Sequence, residues 1–526
     1  MLRTTDEQSG VVSETRYAQE FTDAEYPKTG MPVYSEQRLN GQLLSRSTNA
    51  LLVKTTGQNG RMPYVSTSTE EAFVLDSFGI SEQISTTLTT DDYDSWGNLI
   101  SRQVQMSDAQ SGELWTTSTT NNFGNSAEQR LGRLKYTSVS KSRTGYSGTI
   151  SRRTDFAYNA DNMLESSTVS PNAAATRVVT SYVYDEFGNT VEKSETGYST
   201  STGDVQTRAA YTVYDSRGRY VAYRENALGE QVHYKYNGVT ADQTTGIIQS
   251  MTETDPNGLE TTSSYDDLGR IISTLHPDNR MTTVVREECL NCVVAGTHYY
   301  EHTQEDGQPD VQVYYDRWGR ELLQRTRSFT GGWNSVVTAY DDEGRKQQVF
   351  EPNTTAYSTI YEYDALDRVV QKVHPTNSVT QYTYSAFSSK VTNPKGQVTE
   401  TFKNGFGEVA YTKDHLGNEV HFVRDAYGNV RQTQTKADGK TSTVTATYDT
   451  WGRKTATSDP VKGTWNYTYN AFGELYTQQT ARGHTFTLTY DLLGRKIRSY
   501  EANEGCLLYT SPSPRDRTRS RMPSSA

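Results

Sequence analysis

The sequence predicts an all-β chain, a long antiparallel meander of short strands joined by tight turns. Three observations predict it. One five-residue turn signal recurs along the chain, successive turns are about one strand apart, and tyrosines sit two residues apart between them.

The turn signal is Tyr-Asp-x-x-Gly. It occurs as Tyr93-Asp94 with Gly97, Tyr184-Asp185 with Gly188, Tyr214-Asp215 with Gly218 and Tyr265-Asp266 with Gly269. It occurs again as Tyr315-Asp316 with Gly319, Tyr340-Asp341 with Gly344, Tyr448-Asp449 with Gly452 and Tyr490-Asp491 with Gly494. Tyr469-Asn470-Ala471-Phe472-Gly473 is a copy with Asn for Asp, and Arg follows the Gly at Arg219, Arg270, Arg320, Arg345, Arg453 and Arg495. Chance would supply fewer than about one such string in a chain of this length, so the string is an architectural period. Asp at the first position of a type I turn accepts hydrogen bonds from the N–H groups ahead of it, and Gly at the fourth leaves the turn without steric cost. The third position is usually large and apolar (Trp96, Phe187, Leu268, Trp318, Trp451, Phe472, Leu493), and the expectation is a plug that folds each turn onto its own sheet.

Weaker turns fill the gaps, at Asn226, Asn237 and Asp255, and again at Asn393, Asn404, Asp414, Asp425 and Asp459, mostly in steps of 10 or 11 residues. One turn of four residues and one strand of about seven account for such a step. Within the strands, Tyr182 and Tyr184, Tyr234 and Tyr236, Tyr361 and Tyr363, Tyr382 and Tyr384, and Tyr467 and Tyr469 are each two apart, with mostly polar residues between. One face is therefore aromatic and the other wet. Cross-strand aromatic pairs, each worth roughly 0.2–1 kcal/mol, can then stand in for a conventional core, and stability adds repeat by repeat.

Composition agrees. Of 526 residues only 33% are hydrophobic although 37 are tyrosine, which suits exposed sheet better than several compact cores. The net charge is -11 with both signs interleaved, so no basic face for nucleic acid is expected. No stretch approaches the roughly 18 apolar residues of a membrane span, and the N-terminus lacks the apolar run of a signal peptide. Three cysteines exclude a disulfide framework but not an isolated bridge.

The organisation reads as a β-rich lead-in over 1–90, repeats over 91–280, a cysteine-containing insert or degenerate repeats over 281–312, repeats over 313–505 and a distinct tail over 506–526. The Tyr-Asp motifs, their period of about 21 residues from Tyr448 to Tyr469 to Tyr490, and the Gly-Arg after the turn resemble the Rhs/YD-repeat proteins, whose relatives include insecticidal toxin-complex components, wall-associated YD proteins and teneurins. The resemblance covers about residues 91 to 505 and implies a curved, hollow Rhs-type β-shell, of which this chain is an incomplete portion. It also implies a secreted or cell-surface protein whose partners are a C-terminal toxin cargo and an N-terminal delivery or shell-completing domain, with surface glycans as the alternative partner. Residues 1–90 are similar to the lead-in before the repeats of toxin-complex relatives, which implies truncation there too. In the family a shell-cleaving core carries Asp-Pro-x-Gly, but Asp255-Pro256-Asn257-Gly258 lies amid repeats and reads as one more turn. The Ser-, Pro- and Arg-rich tail from Cys506 resembles translated sequencing-adapter sequence, so no nucleic-acid site is read into it.

No catalytic constellation is found and no cofactor or metal is expected. Cys289-Leu290-Asn291-Cys292 admits a local disulfide between Cys289 and Cys292, half a zinc site with His298 and His302, or a redox pair. Paired cysteines in a similar insert of toxin-complex relatives imply the structural reading. The aspartates are accounted for as turn residues, and His276-Pro277 and His374-Pro375 as turn formers. The expected function is a non-catalytic shell segment; the alternative is a surface protein that binds carbohydrate through its tyrosines.

Overall fold

A computed structural model describes residues 2–6, 10–57, 60–124, 132–200, 203–238, 248–289, 292–501 and, as backbone, 507–510. Among the described residues forty strands run from Leu2–Thr5 to Leu507–Thr510, and each pairs antiparallel with the next in sequence. Helical structure among the described residues is two single 3-10 turns, Tyr26–Lys28 and Ala174–Thr176. The architecture is thus one open, all-β ribbon.

Strand length changes along it. Gln42–Thr55, Arg61–Leu75 and Ser81–Tyr93 have 14, 15 and 13 residues, whereas Val369–Val373 and Val379–Tyr384 have 5 and 6. The region of the proposed insert continues the meander: Met281–Glu288 pairs with Tyr299–Glu305, and that strand with Val311–Tyr315. Of the tail, Leu507–Thr510 pairs with Lys496–Glu501; Cys506 and residues 511–526 lie outside the described residues.

The ribbon is thin. Its accessible surface is 31322 Å², against roughly 19,000 Å² for a compact monomer of 59.0 kDa. Alternation along the strands is clear at the tyrosine pairs, where Val183, Lys235, Glu362, Thr383 and Thr468 are exposed between half-buried rings. The rings cover one another across strands, Tyr299 on Tyr315 at 4.9 Å, Tyr300 on Tyr314 at 5.2 Å and Phe402 on Tyr411 at 4.0 Å between centroids.

The ribbon also winds. The turn at 76–80, between the fifth and sixth strands, meets the end of the strand Val379–Tyr384 at the turn between the twenty-eighth and twenty-ninth. In the same way 109–113 meets 404–408, 144–149 meets 425–429, 170–177 meets 449–453, and 198–200 meets 470–474, each 23 strands later. One coil is therefore 23 strands around, and its upper edge carries the lower edge of the next.

Candidate functional site

The repeated turn is built around its Asp. The Gly N–H donates to the Asp carbonyl in every copy, at 3.3 Å for Gly97 to Asp94, 3.1 Å for Gly188 to Asp185, 2.9 Å for Gly218 to Asp215 and Gly269 to Asp266, 3.1 Å for Gly319 to Asp316 and Gly452 to Asp449, and 3.0 Å for Gly344 to Asp341 and Gly494 to Asp491. In most copies one carboxylate oxygen accepts the N–H groups two and four residues on; for Asp316 these are Trp318 and Arg320, both at 2.9 Å. The Gly has positive φ, 77° at Gly319, because the chain leaves the turn through a bulge at the motif Tyr. Where Gly is absent an Asx residue takes the same conformation, as at Asp367 (φ 60°), Asn279 (φ 65°) and Asn377 (φ 60°).

The motif Arg and Tyr link one turn to the next. Arg320 Nε donates to Asp316 Oδ2 at 2.6 Å, its guanidinium lies 4.8 Å over the Tyr340 ring, and the Tyr340 hydroxyl returns to the Glu321 carbonyl at 3.0 Å. The relay repeats with Arg345 over Tyr363 (4.7 Å), Arg368 over Tyr384 (4.4 Å) and Arg453 over Tyr469 (5.0 Å). Tyr184, Tyr448 and Tyr490 likewise donate to the carbonyls of Leu164, Val430 and Leu475, each at 2.8 Å. Tyr93 packs edge-on against Tyr64, Tyr315 stacks on Tyr299, and the Tyr265 N–H donates to the Gln249 carbonyl; Tyr214 closes the strand Val205–Tyr214. Burial opposes the charge of Asp316, but the Arg320 N–H and guanidinium outweigh it and hold the carboxyl below its ordinary value; Asp341 is held down the same way by Arg345. Burial pushes Tyr340 and Tyr490 up.

The plug expectation holds only in part. Trp96 (42% exposed) lies against Gly57 and Phe187 (55%) against Gly218, each in a neighbouring turn of the same sheet, whereas Leu268 (76%) and Trp318 (64%) stand out from the first coil. Trp451 and Phe472, on the second coil, are covered, but by the coil beneath. Trp451 Nε1 donates to Ser170 Oγ at 2.8 Å, and Phe472 lies 3.9 Å beneath the Arg208 guanidinium. A strand-end turn has little sheet of its own to fold onto, so its apolar residue is buried only where another coil arrives.

That seam is the molecule's most buried polar region. Asp108 is 3% exposed and accepts the Gly405 N–H. Arg143 is buried between Glu113 of its own coil and Glu408 of the next, the latter at 2.8 Å. Trp115 Nε1 donates to the Ala426 carbonyl (2.8 Å), Arg152 Nε to the Thr450 carbonyl (2.6 Å) and the Ala471 N–H to the Tyr198 carbonyl (2.9 Å). Arg208 pairs with Glu474 at 2.8 Å. Apart from Ala471, which lies in the Asn470 copy of the turn, none of these partners is visible in the sequence, because residues 265 to 311 apart carry no local signal of contact.

Cys289 and Cys292 are joined as a disulfide, their Cα atoms 5.7 Å apart, at the base of the loop between Met281–Glu288 and Tyr299–Glu305. His298 accepts the Cys289 N–H through its carbonyl, and His302 faces Asp310 at 3.6 Å. His276 and His374 take the first turn position in place of Asp, each ring 2.9 Å from a threonine hydroxyl, Thr282 and Thr380. The Asp255 turn closes like the others, with the Gly258 N–H on its carbonyl.

The sequence matches no protein-family model and no curated protein. The fold does match solved structures. The crystal structure of TcdB2-TccC3 without its hypervariable C-terminal region superposes with a TM-score of 0.69 at 12% identity, over 92% of this chain and 35% of that one. A Photorhabdus luminescens Tc holotoxin pore superposes with a TM-score of 0.67 at 12% identity, over 93% of this chain and 35% of that one. The likeness is one of fold, a Tc-toxin-like β-shell, and this chain spans about a third of those chains (35%).

Proposed function

We propose that this chain is a non-catalytic wall segment of a bacterial Rhs/YD-repeat shell that encloses or presents a C-terminal toxin domain outside the cell. The observation that carries the reading is the seam. A ribbon that merely meandered would leave both rows of turns open, whereas bonding of five successive turns of one row to the coil 23 strands earlier makes a continuous wall there. A thin wall with twice-paired strands and few exposed edges suits containment, since it leaves an enclosed chain no free strand to pair with. The glycan-binding alternative has less support, because the strand-to-strand ring pairs use each other's faces and leave fewer free for a sugar.

The test is to read the source locus past the codon for Gly505, express the full-length product and digest it with proteinase K. A C-terminal domain that survives while the same domain expressed alone is degraded supports the shell. A C-terminal domain cleaved equally fast in both forms sinks the enclosure reading.

A further inference from the structure

We propose that the residue directly after the turn's first position decides which turns stack on an earlier coil. A small residue admits the coil beneath, and a charged one forbids it.

The five stacked turns read Ser385-Ala386-Phe387, Asn404-Gly405-Phe406, Asp425-Ala426-Tyr427, Asp449-Thr450-Trp451 and Asn470-Ala471-Phe472. Their second residues are Ala, Gly, Ala, Thr and Ala. Turns of the same kind on the first coil, with nothing stacked below, carry Glu186, Asp267, Arg317 and Asp342 there, all exposed. In four consecutive stacked turns the backbone of this one residue makes the bond between coils. Gly405 and Ala471 give their N–H, and Ala426 and Thr450 their carbonyl. A residue whose own backbone is the contact has no room for a long side chain on that side. A Cβ on Gly405 would overlap the Ile84 carbonyl oxygen, and Ala426 is 0% exposed. The seat is trimmed to match: Gly197 has ordinary negative φ, yet a Cβ there would stand 3.0 Å from the Ala471 methyl.

Two components therefore make a stacking turn. The aromatic third residue supplies contact area, as Phe406 does edge-on to Trp115 at 5.8 Å, and the small second residue lets the backbone close. The third residue alone does not discriminate, since Trp318 is the same residue as Trp451 and Phe187 the same as Phe472. A charged second residue would bring an unpaired charge against buried carbonyls, which keeps the free edge of the first coil from stacking on another ribbon. Smallness is necessary and not sufficient, as Ser95 and Ser216 belong to first-coil turns with no earlier coil to meet. The inference rests on the coil geometry alone and stands whether or not the shell holds a cargo.

The test is hydrogen exchange on the full chain with Ala471→Glu, Ala471→Gly and Asp267→Ala. Ala471→Glu is expected to speed exchange and proteolysis at 198–200 and 470–474 at least tenfold, while the Gly473 N–H, bonded within its own turn to Asn470, stays protected. Ala471→Gly and Asp267→Ala are expected to match the parent within twofold. If Ala471→Glu also exposes Gly473, Ala426→Glu is scored at 144–149 in the same way. Unchanged exchange across the seam in either Glu variant, or an equal rise in Asp267→Ala, overturns the proposal.

Discussion

Asp316→Ala tests the turn chemistry at a deeply buried copy outside the seam. The carboxylate is 3% exposed and accepts three bonds, from the Trp318 and Arg320 N–H groups at 2.9 Å and from Arg320 Nε at 2.6 Å. Removing it leaves two backbone donors without acceptors in a site closed to water, each costing about 1.5–2 kcal/mol when the lost acceptor was charged. The Arg320 guanidinium can turn to solvent, so the ion pair adds only about 0.5 kcal/mol. The loss is about 4 kcal/mol, close to a thousandfold in local opening. Because strands away from the seam touch only their neighbours, the loss is confined to the hairpin Val311–Tyr315 with Glu321–Arg327 and the strands beside it. Hydrogen exchange followed by mass spectrometry should show those amides exchanging about a thousandfold faster, with hairpins ten strands away unchanged. Asp316→Asn, which keeps one acceptor oxygen, should fall in between. An effect below tenfold in Asp316→Ala, or equal effects in the two variants, would refute the hydrogen-bond account of the motif.

Two further outcomes follow from the same geometry. Trp451→Ala should destabilise the seam by about 3 kcal/mol and open it to protease at 170–177, whereas Trp318→Ala, with 64% of its residue exposed, should leave thermal stability within about 0.5 kcal/mol; equal effects in differential scanning calorimetry would contradict the assignment of the third residue to stacking. The carboxyls of Asp94, Asp185, Asp215, Asp266, Asp316, Asp341 and Asp491 are all held below their ordinary value in the fold. Depressed carboxylates stabilise fully above the unfolded value of about 3.9 and lose that contribution as pH falls through the folded one. The melting temperature should therefore hold between about pH 8 and 5 and drop below about 4; a drop already at pH 6 would point to the histidines instead.

The all-β meander was legible because its signals are local. Asp at one end of the turn and Gly at the other read directly as a hydrogen-bonded reversal, and tyrosines two apart read as one face. The length of the early strands was not, since Gln42–Thr55 carries no turn residue to count from and its polar–apolar alternation is weak. The relay of Arg over the following Tyr was half visible. Arg after Gly recurs at Arg320, Arg345 and Arg453, and a Tyr returns about twenty residues later, but only two adjacent hairpins in space explain why both are needed.

The third turn residue shows where local reading stops. From sequence, Trp96, Trp318 and Trp451 are one class of apolar side chain awaiting burial, and the nearest surface is their own sheet. The coil of 23 strands divides them, because it brings a second edge under Trp451 and none under the other two. A coil closes on itself only through contacts some 300 residues apart, and no window of a few strands holds both partners. The neighbouring position does hold a trace of that distant contact, since Gly405, Ala426 and Ala471 are small where Glu186, Asp267 and Arg317 are not. Long-range winding thus leaves its mark on sequence as the absence of a side chain beside an aromatic, which is a weaker signal than a motif but one that a repeat makes countable.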